Sequence, residues 1–215
     1  MVEITIPAEK IAALNVIAPK DNKRGVLNGI YFEVTTEGIF AAATDGKMLG
    51  VFRLAAQHQY LNDDPICAAI PKLFLKDVKP SSGKVHITLG PRILRKNSVG
   101  GEYEAHARKF SIKYGLVRVE GETFDGEFPD WRAIVPKEVS GEAAQFDAKL
   151  IEKVAKMNRM LGCDSVTSGI VRIGHNGEKP ALLSIADPGF IGVIAPVVGC
   201  DIPTKAPEWA VEKAA

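Results

Sequence analysis

The chain has 215 residues, 46% hydrophobic and 25% charged, with a formal net charge of +1. That length suits one large domain or two small ones, with enough apolar side chains for a core that needs no disulfide or metal staple. The near-neutral balance excludes global basicity as a means of meeting nucleic acid, so any such contact rests on a local patch, and no apolar run approaches the ~20 residues that span a bilayer.

The opening, MVEITIPAEK, lacks the basic-then-apolar pattern of a signal peptide. Cys67, Cys163 and Cys200 are odd in number and far apart. That pattern fits reduced thiols in a cytoplasmic protein better than a disulfide framework.

One local grammar occurs three times. Residues 2–7 form an extended run ending at Pro7, followed by a helical pattern with Ile11 and Leu14 on one face. Strands are predicted over 29–34, 38–43 and 49–54, with a hairpin turn at 35–38 in which Gly38 can take positive φ. The second run, 66–71, ends at Pro71 and leads into KLFLKDV, with Leu73, Phe74 and Val78 as its apolar face. Strands follow over 84–89, 109–114 and 116–120. The third run, 144–147, ends at Asp147 and precedes a helix with Leu150, Ile151, Val154, Met157 and Leu161 on its apolar stripe. Strands over 169–173, 181–185 and 192–195 close it. Pro7 and Pro71 suit a first helical turn because the N–H that proline lacks is unpaired there anyway, and Asp147 can accept a backbone N–H as an N-cap. Many short strands joined by short connections predict an α+β fold of repeated strand–helix–strands units, with antiparallel sheets and helices on one face. Polar, glycine-containing residues 138–143 form the expected linker between 1–137 and 144–200, and 201–215 form a tail.

Catalytic and metal-binding patterns are not found. His58, His86, His106 and His175 have no metal spacing, and there is no CxxC, GxSxG, HExxH or P-loop. Ala43–Lys47 reads as a strand-to-strand turn closed by Asp45-Gly46. Asp63-Asp64 sits in a polar loop before a proline, where solvation competes with metal binding. Asp125 and Asp130 flank a turn and read as turn caps rather than a catalytic dyad. No metal or cofactor is expected, and no enzyme activity.

Three stretches carry more than this local grammar: Leu27-Asn28-Gly29-Ile30-Tyr31 leading to Ala43-Thr44-Asp45-Gly46-Lys47-Met48-Leu49; Phe128-Pro129-Asp130-Trp131-Arg132-Ala133-Ile134-Val135-Pro136; and residues 179–185 with 193–197. Together they resemble the bacterial DNA polymerase III beta subunit, the sliding clamp. The first is similar to that family's LNG-aromatic strand and ATDGHRLAV-like hairpin, the second to its FPDYRRVLP-like segment, and the third to its closing strands and VMPMRL-like tail. The resemblance implies a DNA-clamp fold in which units one and two form a complete domain, like the clamp's middle domain, and unit three half of another. A half domain leaves a sheet edge and a helix face to cover, so a homo-oligomer is expected, or else a small domain repacked to stand alone.

The resemblance also implies a role: a processivity factor that associates with double-stranded DNA without sequence specificity and docks peptides of polymerase, clamp-loader or repair proteins. The alternative is a clamp-fold interaction module that no longer encircles DNA. Position by position, the implied peptide-pocket walls are Leu27, Thr44, Gly46, Lys47, Met48, Leu49, Pro129, Ala133, Ile134, Val193, Ile194, Ala195, Pro196 and Val197. The competing reading is that these aliphatics pack a junction. The chain departs from the family at Lys47-Met48 (His-Arg there), at Ala133 and Val198 (arginines there) and at Ala195 and Val197 (methionines there). Loss of adaptable methionine implies altered peptide preference. The implied DNA-facing residues are Lys149, Lys153, Lys156 and Arg159 on the third helix, with Arg24, Lys72, Lys76 and Lys79; an ordinary solvated helix face is the alternative.

Overall fold

The computed structural model describes residues 1–54, 64–96, 101–162 and 169–199. His58, Asp63, Cys163, Cys200 and the tail 201–215 lie outside the described residues.

The first unit is β1 (Val2–Pro7), α1 (Ala8–Ile17), β2 (Gly29–Thr35), β3 (Gly38–Thr44) and β4 (Met48–Leu54). The second is β5 (Ile66–Pro71), α2 (Lys72–Leu75), β6 (Lys84–Lys96), β7 (Glu102–Tyr114) and β8 (Val117–Glu122). The third has a single bridge at Gln145, then α3 (Ala148–Met160), β9 (Val171–Gly174), β10 (Ala181–Ile185) and β11 (Phe190–Ile194). The helices start where the sequence predicts, on Pro7, Pro71 and Asp147, and the Asp147 carboxylate accepts the Lys149 N–H at 2.9 Å.

All pairings are antiparallel. One sheet runs β1-β6-β7-β8, the other β5-β2-β3-β4-β11-β10-β9. The first two units therefore exchange their leading strands: β1 joins the second unit's strands at β6, and β5 joins the first unit's at β2. This exchange is the internal two-fold symmetry behind the repeated grammar. The third unit attaches through β11, which lies along β4 with Val193 opposite Leu49.

Buried side chains of both sheets pack with the helices in one core that includes Ile6, Phe32, Phe52, Ile87 and Leu183. Helix α1 buries Ala12 and Ala13 as well as Ile11, Leu14 and Ile17. A helix apolar nearly all round belongs between layers, and α1 lies between the sheets and α3.

Three expectations change in detail. Helix α2 is a single turn that buries Leu75 and leaves Leu73 65% exposed; Pro80, starting a 3₁₀ turn, keeps the chain from continuing as helix. Strands β6 and β7 run on past 89 and start before 109. Their extra residues form a two-stranded arm, because a register shift between Leu89 and Arg92 accommodates Pro91. Ile151 is 40% exposed on the flank of α3 away from the core.

Candidate functional site

The end of the long sheet where β3 turns into β4 is held by short-range hydrogen bonds. The Asp45 carboxylate accepts the N–H groups of Lys47 and Met48 at 2.9 and 2.8 Å, and the Thr44 hydroxyl accepts that of Gly46 at 3.1 Å. Gly46 takes φ 89°, which a Cβ would strain. The other Asp45 oxygen meets the Lys153 ammonium at 2.5 Å, tying α3 to this turn. Burial alone would raise the Asp45 pKa, but Lys153 and the two N–H groups outweigh it, and the carboxyl is held below its ordinary value. Past β11, the Ala195 N–H donates to the Lys47 carbonyl and the Val197 N–H to that of Gln145, each at 2.8 Å.

Strand alternation sorts the residues of this ledge. Leu49 and Val193 share a face with Phe40, Ala42, Val51 and Trp131. Met48 and Ile194 point the other way, into the main core, at 1% and 0% exposure.

The segment 128–135 crosses the Leu49 face and is latched to it. The buried Glu33 carboxylate accepts the Trp131 indole N–H at 3.0 Å and the Arg132 guanidinium at 2.8 Å. That guanidinium stacks over Trp131 and Phe40, at 4.1 and 4.9 Å from the ring centroids. Phe128 stacks on Tyr31 with centroids 4.5 Å apart. Burial, followed by a hydrogen bond with Cys67, pushes the Tyr31 hydroxyl pKa up; burial likewise raises that of Cys67.

The three motif stretches are thus brought together. Gly46, Lys47, Pro129, Ala133, Ile134 and Val197 are exposed, and Ala195 and Pro196 half-buried. Leu27, Thr44, Leu49 and Val193 are buried beneath them. Leu27 lies in the turn before β2, at the same end of the sheet as Thr44. Met48 and Ile194 are corrected from pocket wall to core, because neighbouring strand residues face opposite ways. Asp130 caps its turn, accepting the Arg132 N–H at 3.0 Å, whereas Asp125 is corrected from turn cap to a tie onto β7: it accepts the His106 N–H at 2.9 Å and meets Arg95 at 3.7 Å. Among the described residues, no cluster of His, Cys, Asp and Glu could hold a metal.

A second surface is formed by the helices. Lys72 donates to the Asn15 and Ala18 carbonyls at 2.6 and 2.5 Å, capping the C-terminus of α1. Its pKa is lowered by burial first and then by Lys20, Lys153 and Lys156, so these four ammonium groups share one neighbourhood. Of the implied DNA-facing residues, Lys149, Lys156, Arg159, Arg24, Lys76 and Lys79 are exposed. Lys72 and Lys153 are corrected: their ammonium groups are engaged inside the chain. Lys20 was missed by the sequence reading, although a lysine just after a helix C-terminus is a usable signal. Glu33 was missed as well, hidden within an apolar strand.

Residues 3–130 match the family model of the DNA polymerase III beta subunit, central domain. The chain belongs to this family. The DNA polymerase III subunit beta of Pseudomonas aeruginosa is similar in structure, with a TM-score of 0.63 at 16% identity over 92% of this chain and 66% of that one. A putative beta subunit from Eubacterium rectale gives 0.61 at 10% identity over the same shares. A ligand-bound DNA polymerase sliding clamp of P. aeruginosa gives 0.59 at 16%, covering 91% of this chain and 66% of that one. At such identities the likeness shows the fold: an α+β clamp fold of antiparallel sheets. The chain spans about two thirds of the length of these beta subunits. A search among curated protein sequences returns no match. Among the described residues no helix is long and apolar enough to cross a membrane. In this beta-subunit relative, the LNG and FPDWR stretches that carry the resemblance are the strand bearing Glu33 and the segment latched to it.

Proposed function

We propose that this chain is a non-catalytic, cytoplasmic replication accessory of the sliding-clamp kind. It lies against double-stranded DNA through its helical face and docks partner peptides on the ledge beside Leu49 and Val193. The observation that carries the DNA side is the gathering of Lys20 (just past the end of α1), Lys72 of α2 and Lys153 and Lys156 of α3 in one neighbourhood. Lys149 and Lys156 stand exposed there. Ammonium groups held together against mutual repulsion suit a polyanion whose phosphates are met without reading bases. On the peptide side, exposed Ile134 and Val197 with half-buried Pro196 offer an apolar rim over a latched base, which suits a short peptide with an aliphatic or aromatic anchor. In this reading residues 1–137 act as a complete clamp domain and 144–200 as half of one.

Binding to a labelled duplex across a salt series tests the DNA side. Affinity is expected to fall steeply with salt, and Lys149→Glu with Lys156→Glu should flatten the log–log slope by about 0.9 for each phosphate that is no longer neutralised. Equal slopes for wild type and variant would overturn it.

A second reading has its own observation. Lys72 and Lys153 are occupied by internal partners, which thins the charge available to phosphates and favours a clamp-fold interaction module that docks peptides without encircling DNA. Peptide binding with no salt-dependent DNA binding would select that reading.

A further inference from the structure

Between the outer edge of β5 and the arm of β6 and β7 lies a cavity of about 800 Å³, which neither the helical face nor the ledge uses. That size is in the range of small-molecule sites. One wall is β5, the end strand of the seven-stranded sheet among the described residues. Its edge is already partly engaged. The Ala69 carbonyl accepts the Phe124 N–H at 2.9 Å, and the Cys67 carbonyl accepts the Arg108 Nε–H at 3.3 Å. In an antiparallel strand the N–H and carbonyl of one residue point to the same side, so the Cys67 N–H faces the cavity as well. With these carbonyls bonded, the wall offers mainly donors. A strand adding at an edge needs donors and acceptors alike; a compact acceptor-rich group needs donors alone.

Depth sorts the charges. Arg108 is half-buried and its plane is fixed, because Nη1 also donates to the Gly90 carbonyl at 3.1 Å. Both of these acceptors are neutral. Arg92 lies close by: it and Arg108 both act on the Cys67 thiol through their charge. The carboxylates stand at the mouth. Glu104, 57% exposed, meets Arg92 at 3.5 Å, and Glu127, 84% exposed, stands 3.9 Å from the His106 ring. Pairs so exposed are weak and give way to a better partner. Asp64 is exposed too. An acidic mouth over a basic interior repels a polyanion such as duplex DNA and leaves room for a small anion. The remaining lining is largely apolar and flat. Tyr31, Phe124 and Phe128 bring three rings, the first and last stacked with centroids 4.5 Å apart.

We infer that this cavity binds a small organic anion: one phosphate or carboxylate group, held by Arg108, Arg92 and the Cys67 N–H, on a flat ring system that packs among Tyr31, Phe124 and Phe128. The planar guanidinium suits either group, since it presents paired donors to paired oxygens. A nucleoside monophosphate and an aromatic carboxylate both fit that description. The inference stands apart from the DNA and peptide readings, because the ligands are small and neither partner is present when they are measured.

Isothermal titration calorimetry on the full chain tests it with adenosine 5′-monophosphate, indole-3-acetate, inorganic phosphate and acetate. At least one of the two ring-bearing anions is expected to bind with a Kd below about 1 mM, and inorganic phosphate and acetate about tenfold more weakly or worse. Which ring-bearing anion binds tells a phosphate ligand from a carboxylate one. Arg108→Lys keeps the charge but not the fork, and should weaken binding about tenfold. Arg92→Gln, on the rim, should weaken it about threefold, and Glu127→Gln should tighten it about twofold. A damaged fold would not produce that gain. Neither ring-bearing anion binding at that level overturns the inference. So does inorganic phosphate or acetate binding as tightly as they do, or an affinity that Arg92→Gln and Glu127→Gln leave unmoved.

Discussion

Glu33 is the residue on which the latched segment depends, and Glu33→Ala measures how much. The substitution leaves the buried Trp131 indole N–H without its acceptor, at a cost of about 1–3 kcal/mol. It also strips the counter-charge from Arg132. That side chain is 43% exposed and rehydrates readily, so its share is nearer ~1 kcal/mol than the figure for a buried pair. Together these give about 2–4 kcal/mol. In a chain of this size that corresponds to a fall in Tm of roughly 5–12 °C. Glu33→Gln keeps an acceptor for Trp131 and should cost only about 1 kcal/mol. Urea unfolding followed by fluorescence provides the measurement. Trp209→Phe leaves Trp131 as the single tryptophan, so the signal reports the latch itself. A Glu33→Ala loss below about 0.5 kcal/mol would refute the reasoning, since that is the range of an uninvolved surface site. So would a double-mutant cycle with Arg132→Ala that is additive within about 0.3 kcal/mol.

Gly29 answers to a backbone limit: a Cβ there would lie 2.2 Å from the Ile70 carbonyl oxygen across the β2–β5 pair. Gly29→Ala should therefore cost about 3 kcal/mol or more by forcing those strands apart, and a Tm within a few degrees of wild type would contradict the packing. Asp45 governs an acid limb. Its carboxyl is held below the ordinary value, so it adds stability above the unfolded aspartate pKa of ~3.9, and that stability is lost as pH falls through the lower folded value. Asp45→Asn should be less stable than wild type at neutral pH, with the gap closing as pH falls past the unfolded aspartate value and through the lower folded one; a gap that stays constant with pH would show that the Asp45 charge contributes nothing.

The fold was legible because its punctuation is chemical. Pro7, Pro71 and Asp147 can each open a helix, and every element placed on that basis is present. The boundary of β6 is misplaced for a reason that lies in its partner. Gly90-Pro91 reads as a break in a single strand, yet a bulge absorbs the proline once a partner strand runs alongside. The repeat alone could not show that β1 and β5 change places between sheets, because exchange is a property of the pair of units and neither unit encodes it alone.

The site was less legible, and for a reason that period-2 geometry already contains. A motif carried over as a run of consecutive residues places Met48 beside Leu49 and Val193 beside Ile194 as one wall, but adjacent strand residues face opposite sides. Only one of each pair can face a given side of the sheet. Leu49 and Val193 face the latched segment, which buries them, and Met48 and Ile194 face the helices. The lysine stripe has the same limit. Spacing puts Lys149, Lys153 and Lys156 on one flank of α3, but whether an ammonium group is free depends on what lies across from it. Asp45, more than a hundred residues earlier in the chain, reaches Lys153 only because β11 pairs with β4 and brings α3 over the hairpin turn. A pattern on one element states which side chains share a face; the pairing between elements decides which of them remain free to bind.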